Sequence, residues 1–265
     1  MIRYNLVHQI GATHMKRFAI IILSATSLLL AAAGQNAKQE KQNSDGKARL
    51  VPNPVLLLIR DPAIQADLQL RPDQKKTIRK VLDDIDGEFW AIRDLNAEQG
   101  GGTLNALVTK VTGELRKTLS TNQLKRLDQL ILQGQGPDAI ILPDVAKKLS
   151  LDKDQLKLIV KRLADAYDEL DELAKQVTAT NQKEIEAKAA KVREAGKELI
   201  LDVLNEDQKK QWNAMLGKSF DMSKVKPPII KAPELVSGDA WINSEPLTLE
   251  QLRGKVVAIH FWTFG

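Results

Sequence analysis

Cysteine is absent from the 265-residue chain, and histidine is nearly so. Without cysteine the printed chain cannot form disulfides, thiolate metal sites or iron–sulfur clusters, and it has no cysteine nucleophile. The three histidines are His8, His14 and His260, and the first two lie in an N-terminal targeting segment. A histidine-based metal site or a serine–histidine–aspartate triad therefore has too few residues to be built. We expect neither a metal nor a cofactor.

A strong charge of either sign is also missing. The formal net charge is +5, but Arg3, Lys16 and Arg17 precede Gly34, and the remainder has 36 basic and 34 acidic residues. Basic and acidic residues alternate along that remainder, which gives no electrostatic footprint for nucleic acid and no polybasic membrane patch. We therefore expect no nucleic-acid partner.

The N-terminal segment has the layout of a secretory signal peptide. From Met15 the sequence reads Met-Lys-Arg, then an apolar stretch from Phe18 to Leu30, then three alanines. The stretch from 18 to 33 has 16 residues, and an uncleaved membrane anchor, the alternative, needs roughly 20. We predict a signal peptide over residues 1–33, with the true start near Met15. The mature protein is then periplasmic or otherwise extracytoplasmic in a bacterium, without a stable membrane anchor.

The next two segments differ in composition. Residues 34–53 are polar and are predicted to be a flexible leader. Between residues 54 and 220 apolar residues recur at helical spacing, with charged residues on the opposite faces, which predicts an all-α domain. Gly100–Gly102 lies between two stripes, where helix-breaking residues are expected. The four stripes are Ile78, Val81, Leu82, Ile85, Phe89, Ile92 and Leu95; Leu104, Leu107, Val108, Val111 and Leu115; Leu156, Ile159, Val160, Leu163, Tyr167, Leu170 and Leu173; and Ile185, Ala189, Val192, Leu199 and Val203.

The helical region contains an internal repeat. Residues 61–86 match residues 142–167 in pattern at an offset of 81, and later matches fall four residues beyond that offset. Such self-similarity indicates two copies of one helical unit that pack together. We place the repeats at about 54–138 and 139–220.

A Leu-x-x-x-Gln signature occurs four times in these repeats. In three copies a good N-cap follows the leucine, and the glutamine three positions later can bind the backbone N–H of the cap, which makes a capping box. In the first copy Arg71-Pro72 replaces the cap, and the proline starts the helix by its fixed φ. The predicted structural caps are Ser120 with Gln123, Asp152 with Gln155, and Asn205 with Gln208.

These repeated elements in an exported helical domain resemble the Leu-Thr-x-x-Gln repeats of the Spy and CpxP family of periplasmic stress proteins. The resemblance covers roughly residues 54–220, although none of the four copies has threonine at the cap. It implies a curved helical fold and a non-enzymatic chaperone or envelope-stress protein with unfolded protein clients.

After Phe220 the helical pattern stops, and residues 221–231, with Lys226-Pro227-Pro228, are predicted to be a stiff linker. The run from Val256 to Trp262 is apolar and rich in β-branched residues, which is typical of a strand buried on both faces of a sheet. A central strand needs partner strands. We therefore expect the natural reading frame to continue past Gly265.

Residues 232–265 resemble the start of the thioredoxin-like redoxins of the TlpA type. The matching residues are Leu247, Leu249, Leu252, Arg253, Gly254, Lys255, Val256, Val257, Phe261 and Trp262. In that family a Cys-x-x-Cys dithiol follows, and Trp262, Thr263, Phe264 and Gly265 occupy the place just before it, as a possible flank of the redox site. The resemblance implies a thiol–disulfide oxidoreductase or peroxide-handling redoxin with a protein thiol or disulfide partner. The printed chain has no catalytic residue for this chemistry and is inactive as given.

Three features have a structural interpretation beside a functional one. His260 is interpreted as a packed or edge-facing strand residue rather than a proton shuttle, and Trp262 as either core or redox-site flank. An acidic cluster is interpreted as a solvated face with i,i+4 ion pairs to Lys161, Arg162 and Lys175 rather than a cation site. That cluster is Asp165, Asp168, Glu169 and Glu172.

The sequence thus predicts a mainly α fold, a duplicated helical module followed by an incomplete fragment of an α/β thioredoxin-like domain. The leading function is an exported thioredoxin-like thiol–disulfide oxidoreductase or redoxin precursor. The alternative is a Spy-like helical chaperone or envelope-stress binding protein. In a third interpretation the helical module is a spacer or dimeriser for the redoxin.

Overall fold

The computed structural model describes residues 53–178, 180–228, 230 and 241–258. The predicted signal peptide, most of the leader, and the end of the predicted strand with His260 and Trp262–Gly265 lie outside the described residues. Within the described ranges the protein has nine α-helices and no strand. The mainly α prediction is confirmed there.

The helices follow one another with short connections. They are α1 (Pro54–Leu58), α2 (Pro62–Asp67), α3 (Pro72–Ala91), α4 (Ala97–Thr118), α5 (Thr121–Gln135), a 3₁₀ turn (Gly136–Ile141), α6 (Pro143–Lys148), α7 (Lys153–Lys175), α8 (Gln182–Leu201), α9 (Glu206–Leu216) and a second 3₁₀ turn (Met222–Lys224).

The same series of helices occurs twice, with α2–α5 followed by α6–α9. The short helices α2 and α6 end at residues with positive φ, Gln69 at 51° and Ser150 at 52°, and these two positions are 81 residues apart. The last helices, α5 and α9, end at Gly136 and Gly217, whose φ angles are 63° and 64° and which are also 81 residues apart. The backbone therefore repeats in detail at the offset seen in the sequence.

The four-residue shift within the repeat has a structural counterpart. The caps of α5 and α9, Ser120 and Asn205, are 85 residues apart, yet the two helices end 81 residues apart. Accordingly α5 has 15 residues and α9 has 11. The second repeat is longer by four residues before α9 and then loses one helical turn from α9.

Each repeat has its own apolar core. The first core combines α1–α5 and includes the fully buried Ile78, Ile85, Val111 and Leu130. The second core lies between the first 3₁₀ turn and α6–α9. Its buried members are Ala139, Ile140, Val145, Leu149, Ile159, Leu163, Ile200, Leu204 and Trp212. The long hairpins α3–α4 and α7–α8 supply the largest faces of the two cores because each presents an apolar stripe to its partner helix.

The prediction that Gly100–Gly102 separates two helices is wrong, because these residues lie in the first turns of α4. Asn96 caps that helix, and its side-chain oxygen accepts hydrogen bonds from the N–H groups of Glu98 and Gln99, both at 3.0 Å. Gln99 in turn accepts from the Asn96 N–H at 3.4 Å. An Asn-x-x-Gln capping box thus starts the helix before the glycines and outweighs their poor helix propensity.

The predicted stripe of α8 is wrong at its C-terminal end. Leu199, assigned to the buried face, is 49% exposed, whereas Ile200 is buried. Gly196 determines this face, since a Cβ placed on it would lie only 3.4 Å from the Cβ of Ala166 on α7. The close approach of the two helices at Gly196 turns Ile200, one turn later, towards α7.

Ser150 offers a test of the repeated positive-φ position. The Ser150 N–H donates to the Lys147 carbonyl at 3.1 Å and the Leu151 N–H to the Ala146 carbonyl at 3.0 Å, which is the Schellman pattern. Glycine adopts this conformation without the steric cost that an L side chain carries. We expect Ser150→Gly to raise the free energy of unfolding by about 0.5 to 1 kcal/mol in urea titrations. Ser150→Ala keeps the strain, so an equal gain from alanine would contradict this explanation.

The segment after α9 crosses back to the first repeat. We call residues 217–228 together with Ile230 the C-terminal strap. Four of its apolar side chains pack against the first core: Phe220, Met222, Val225 and Ile230. The described part of the predicted linker, residues 221–228 and 230, thus has its own apolar contacts with the first repeat.

The described part of the redoxin-like segment forms one helical turn. Thr248 and Gln251 cap each other there, with the Thr248 N–H 2.9 Å from Gln251 Oε1 and the Gln251 N–H 3.2 Å from Thr248 Oγ1. Val256 and Val257, predicted to begin a buried strand, are exposed, and residues 256–258 form no strand. The rest of the predicted strand, residues 259–262, lies outside the described residues, so the α/β fragment stays a prediction.

Candidate functional site

A metal site is the first kind of functional site to consider in the described part of the chain. Among these residues no group of three or more histidine, cysteine, aspartate or glutamate side chains could hold a metal ion. None of the described helices is long and apolar enough to cross a membrane. The possible redox-site flank, Trp262–Gly265, lies outside the described residues. The buried polar contacts of the module are therefore the remaining candidates.

Two glutamines pair across helices in the first repeat. The Gln74 side-chain amide donates to Gln123 Oε1 at 2.9 Å, and the Gln123 amide donates back to Gln74 Oε1 at 3.1 Å. Each amide also donates to a backbone carbonyl, that of Thr118 at 2.8 Å and that of Leu68 at 3.1 Å, respectively. We call this reciprocal pair a glutamine clasp. It joins the first turn of α3 to the first turn of α5.

The second repeat contains the same clasp. Gln155 and Gln208 donate to each other at 2.8 and 2.9 Å, and the Gln155 amide also donates to the Val203 carbonyl at 3.0 Å. Gln74 and Gln208 are buried. A buried amide without hydrogen-bond partners costs about 1 to 3 kcal/mol. The clasps therefore stabilise the repeats because they give the buried glutamine amides their partners.

Three of the four clasp glutamines also belong to the predicted capping boxes. Ser120 Oγ, Asp152 Oδ1 and Asn205 Oδ1 accept hydrogen bonds from the N–H groups of their glutamines at 3.3, 2.8 and 2.9 Å. The same glutamines accept from the N–H groups of the cap residues. The sequence predicted these boxes but not the pairing of their glutamines. The signal that could have indicated the pairing was the occurrence of the glutamine signature in four places.

The clasp can be separated from the capping box by substitution. Glutamate also serves at the third position of a capping box, but its carboxylate cannot donate to Gln208 Oε1 or to the Val203 carbonyl. We expect Gln155→Glu to lower the free energy of unfolding by about 2 to 4 kcal/mol at neutral pH, measured by urea titration. Gln99→Glu, in the exposed box of Asn96, is the matched control and is expected to be nearly neutral. Equal effects of the two substitutions would show that the clasp adds nothing to the cap.

A buried ion pair lies inside the first repeat. Arg60 Nη2 is 2.5 Å from Asp86 Oδ1, and the two side chains are 7% and 2% exposed. Arg60 Nε also donates to the Leu56 carbonyl at 2.9 Å. The pair connects the end of α1 to the buried face of α3. Its depth in the core and its single arginine indicate a structural contact rather than a site open to substrate.

A half-buried carboxyl lies where the repeats join. Tyr167 on α7 donates its hydroxyl to Asp138 Oδ2 at 2.6 Å, and Asp138 belongs to the 3₁₀ turn between the repeats. Burial raises the pKa of the Asp138 carboxyl, although the Tyr167 hydrogen bond and the nearby Lys197 charge act in the opposite direction. Burial and the Asp138 charge also raise the pKa of Tyr167, so its hydroxyl remains a donor. The contact fixes the inter-repeat turn against α7.

The strap is held to the first repeat by hydrogen bonds as well as apolar contacts. Gln133 on α5 donates to the carbonyls of Leu216 and Lys218 at 2.7 and 2.8 Å, and it accepts from the Phe220 N–H at 2.8 Å. Arg126 Nη1 donates to the same Lys218 carbonyl at 2.6 Å. The glutamine thus pairs with the strap backbone as a neighbouring strand would.

Two acidic side chains complete this attachment. Arg126 Nε lies 2.6 Å from Asp67 Oδ2, which connects α5 to α2 beside the strap. Asp61 is 5% exposed; its Oδ1 accepts from the Ala63 N–H at 2.7 Å and its Oδ2 from the Lys226 N–H at 2.8 Å. The cap of α2 therefore also binds the strap, and the strap attachment is the candidate functional site of the described residues.

Gly217 allows the chain to turn from α9 into the strap. Its φ is 64°, a region that L side chains rarely adopt, and a Cβ built there would collide with the side-chain amide of Gln129. The backbone conformation therefore favours glycine at this position, whereas the Gln129 amide is the end of a flexible side chain that can shift.

A cavity on the second repeat has less definite chemistry. It has a volume of about 390 Å³ and opens between α8 and α9. Its lining combines two acids, one lysine, one amide and two apolar side chains: Glu198, Leu201, Asp202, Lys209, Trp212 and Asn213. The lining has charges of both signs and the site is open to solvent, so it does not select a class of ligand.

No family model, curated protein or solved structure matches this chain. Its function therefore has to follow from the contacts above and from the sequence motifs. Among the predicted site residues, Gln155 and Gln208 bind each other. Gln123 binds Gln74, which was not among the predicted caps. Asp61 and Gln133 were missed because neither belongs to a recognisable motif.

Proposed function

We propose that this chain is the helical part and the opening segment of an exported thioredoxin-like thiol–disulfide oxidoreductase or redoxin. The helical module holds the start of the redoxin domain, and the catalytic dithiol follows residues 262–265. The observation that carries the proposal is the strap. Its backbone is hydrogen-bonded to the first repeat as far as Lys226, and the redoxin-like residues begin six positions later, at Ala232.

The chemistry of thiol–disulfide exchange indicates separate roles for the redoxin domain and the helical module. A thiolate attacks one sulfur of the partner's disulfide and forms a mixed disulfide, and the second cysteine then attacks that bond and releases the reduced partner. The described residues supply no thiol, so in this proposal the reacting groups belong to the redoxin domain. The helical module therefore acts by position, and its strap limits where the redoxin domain can lie.

The surface of the two repeats favours this proposal over a chaperone. A client-binding surface exposes a contiguous apolar patch of several hundred Å². In the described residues of the repeats, the exposed large apolar side chains are Leu158 and Leu199. Two leucines among charged neighbours make a poor surface for an unfolded chain.

The test uses the protein expressed from its natural reading frame. We expect cysteines in a Cys-x-x-Cys pattern within a few positions of Gly265, and reduction of insulin with dithiothreitol as the electron source. Replacing the first of these cysteines by serine should abolish the activity, whereas Gln133→Ala should leave the dithiol's reaction with a small disulfide unchanged. A natural frame that stops at Gly265 or continues without cysteine would overturn the proposal. Protection of an unfolding client by residues 53–230 would then become the assay for the Spy-like alternative.

A further inference from the structure

The charges of α7 are divided unequally between its two halves. Residues 153–164 carry four basic side chains and one acidic, and residues 165–175 carry five acidic and one basic. A helix is stabilised by acidic groups in its first turn and basic groups in its last. The terminal turns of α7 follow this preference, with Asp154 in the first and Lys175 in the last. The unequal division of charge between the two halves lies mostly outside these turns, where the dipole has little effect, so the dipole does not explain it.

Two charged residues from each half of α7 form an exposed stripe along one face of the helix. Lys157, Lys161, Asp165 and Glu169 are spaced four residues apart, and all four are exposed. None of them forms a salt bridge with another described residue. The stripe therefore presents two positive and then two negative charges to the surroundings.

The i,i+4 ion pairs predicted for this face are largely absent from the described structure. Lys161 does not pair with Asp165, and Arg162 Nη1 instead donates to the Leu199 carbonyl of α8. Lys175 pairs with Glu172, three positions earlier, at 2.6 Å. The prediction of a face neutralised by its own ion pairs is wrong at its centre, because a lysine placed N-terminal to its acid has the less favourable orientation in a helix.

A stripe with this order of charges is complementary to itself when reversed. If two copies of α7 lie antiparallel about a two-fold axis, Lys161 faces Asp165 of the second copy and Lys157 faces Glu169 of the second copy. The axis repeats each pair, which gives four attractive contacts. A parallel arrangement in register would place like charges together, so the stripe also selects the orientation.

Apolar side chains lie beside the stripe. Leu158, between Lys157 and Lys161 on the helix surface, is 41% exposed, and Leu199 on α8 is 49% exposed. The hydrogen bond from Arg162 to the Leu199 carbonyl places this part of α8 next to α7. The two exposed leucines of the described repeats therefore accompany the charged stripe, and apolar side chains surrounded by charge are typical of protein interfaces.

We propose that this face of α7, with Leu158 and Leu199, is the surface on which a second copy of the chain docks. The four charges fix the antiparallel register, and the leucines supply apolar area that becomes buried. The contact covers about 18 Å of helix from 157 to 169 and ends where Asp154 would face Glu172 of the second copy. This inference does not depend on the proposed redox function.

The first repeat supplies a matched control. Lys76, Lys80, Asp84 and Glu88 on α3 have the same charges at the same spacing, 81 residues earlier, and they are also exposed. Thr77 stands there in place of Leu158. The α3 stripe therefore has the charges without the neighbouring leucine, and its reversal should affect self-association little.

The experiment measures self-association of the full chain by sedimentation. We expect a monomer–dimer equilibrium whose dissociation constant rises when the salt concentration is increased about tenfold, because screening weakens the four pairs. Lys157→Glu with Lys161→Glu makes the stripe wholly negative, and Asp165→Lys with Glu169→Lys makes it wholly positive. Each double variant should weaken self-association at least about tenfold, and an equimolar mixture of the two should dimerise again.

Recovery in the mixture cannot arise from misfolding, so it separates docking from a structural effect. The matched α3 variant, Lys76→Glu with Lys80→Glu, should dimerise as the unaltered chain does. A chain that remains monomeric at all concentrations, or a mixture of α7 variants that fails to associate, would overturn the proposal. So would an α3 variant that abolishes dimerisation while the α7 variants retain it.

Discussion

Arg60→Ala is expected to lower the free energy of unfolding by about 3 to 5 kcal/mol, because it breaks one half of a buried ion pair. Asp86, 1% exposed, then keeps a buried negative charge without the guanidinium 2.5 Å away. The substitution also removes the hydrogen bond from Arg60 Nε to the Leu56 carbonyl. The loss should appear as a lower urea midpoint for the first repeat.

The matched control removes both charges. Replacing a buried ion pair by apolar residues of similar volume is often neutral, whereas breaking one half of it is not. We therefore expect Arg60→Met combined with Asp86→Leu to recover most of the loss caused by Arg60→Ala. If the single substitution costs less than about 1 kcal/mol, the pair is solvated in solution and the buried geometry does not describe it.

Removal of the C-terminal strap is expected to have an effect of similar size. A chain of residues 53–217 loses four half-buried apolar side chains from the first core, at roughly 0.5 to 1 kcal/mol each, and the hydrogen bonds of Asp61, Arg126 and Gln133 to the strap. We expect its free energy of unfolding to be about 3 to 5 kcal/mol lower than that of residues 53–230, as measured by urea titration. Helical circular dichroism should remain, because the nine helices of the described residues lie before residue 217.

Gln133→Ala in the longer chain tests how the strap is attached. It removes two hydrogen bonds to the strap and one to Leu216 at the end of α9 but leaves the apolar contacts, so we expect a loss of about 1 to 3 kcal/mol. Cleavage by a protease near residues 217–228 should become faster in this variant. If the shortened and longer chains are equally stable, the strap does not belong to the folded module.

Local contacts made much of this fold predictable. The capping boxes at Ser120, Asp152 and Asn205 lie within four consecutive residues, and the stripes follow the helical period, so both can be seen in a short window of sequence. The capping box at Asn96 is equally local, but it was not predicted because the three glycines after it are typical of a helix break. Leu199 was wrongly assigned to the buried face of α8. The close approach of α7 at Gly196 determines which face is buried, and periodicity alone does not show this approach.

Long-range contacts could not be predicted in the same way. Gln133 binds Phe220 across 87 positions, and Asp61 binds the Lys226 N–H across 165. Neither contact has a motif, because each joins a side chain to a backbone group whose residue type is immaterial. The glutamine clasps were partly foreseeable, since four glutamines share one signature, but the choice of partner depends on how the helices pack.

The contact between Asp61 and Lys226 also bears on the order in which the protein assembles. A polypeptide is synthesised N-terminus first, so Asp61 emerges long before the residue whose N–H it binds. Contacts of such large sequence separation form late, because loop closure must precede them. The carboxylate can cap α2 in the meantime with its other oxygen. Docking of the strap is therefore expected to be a late step in the folding of the helical module.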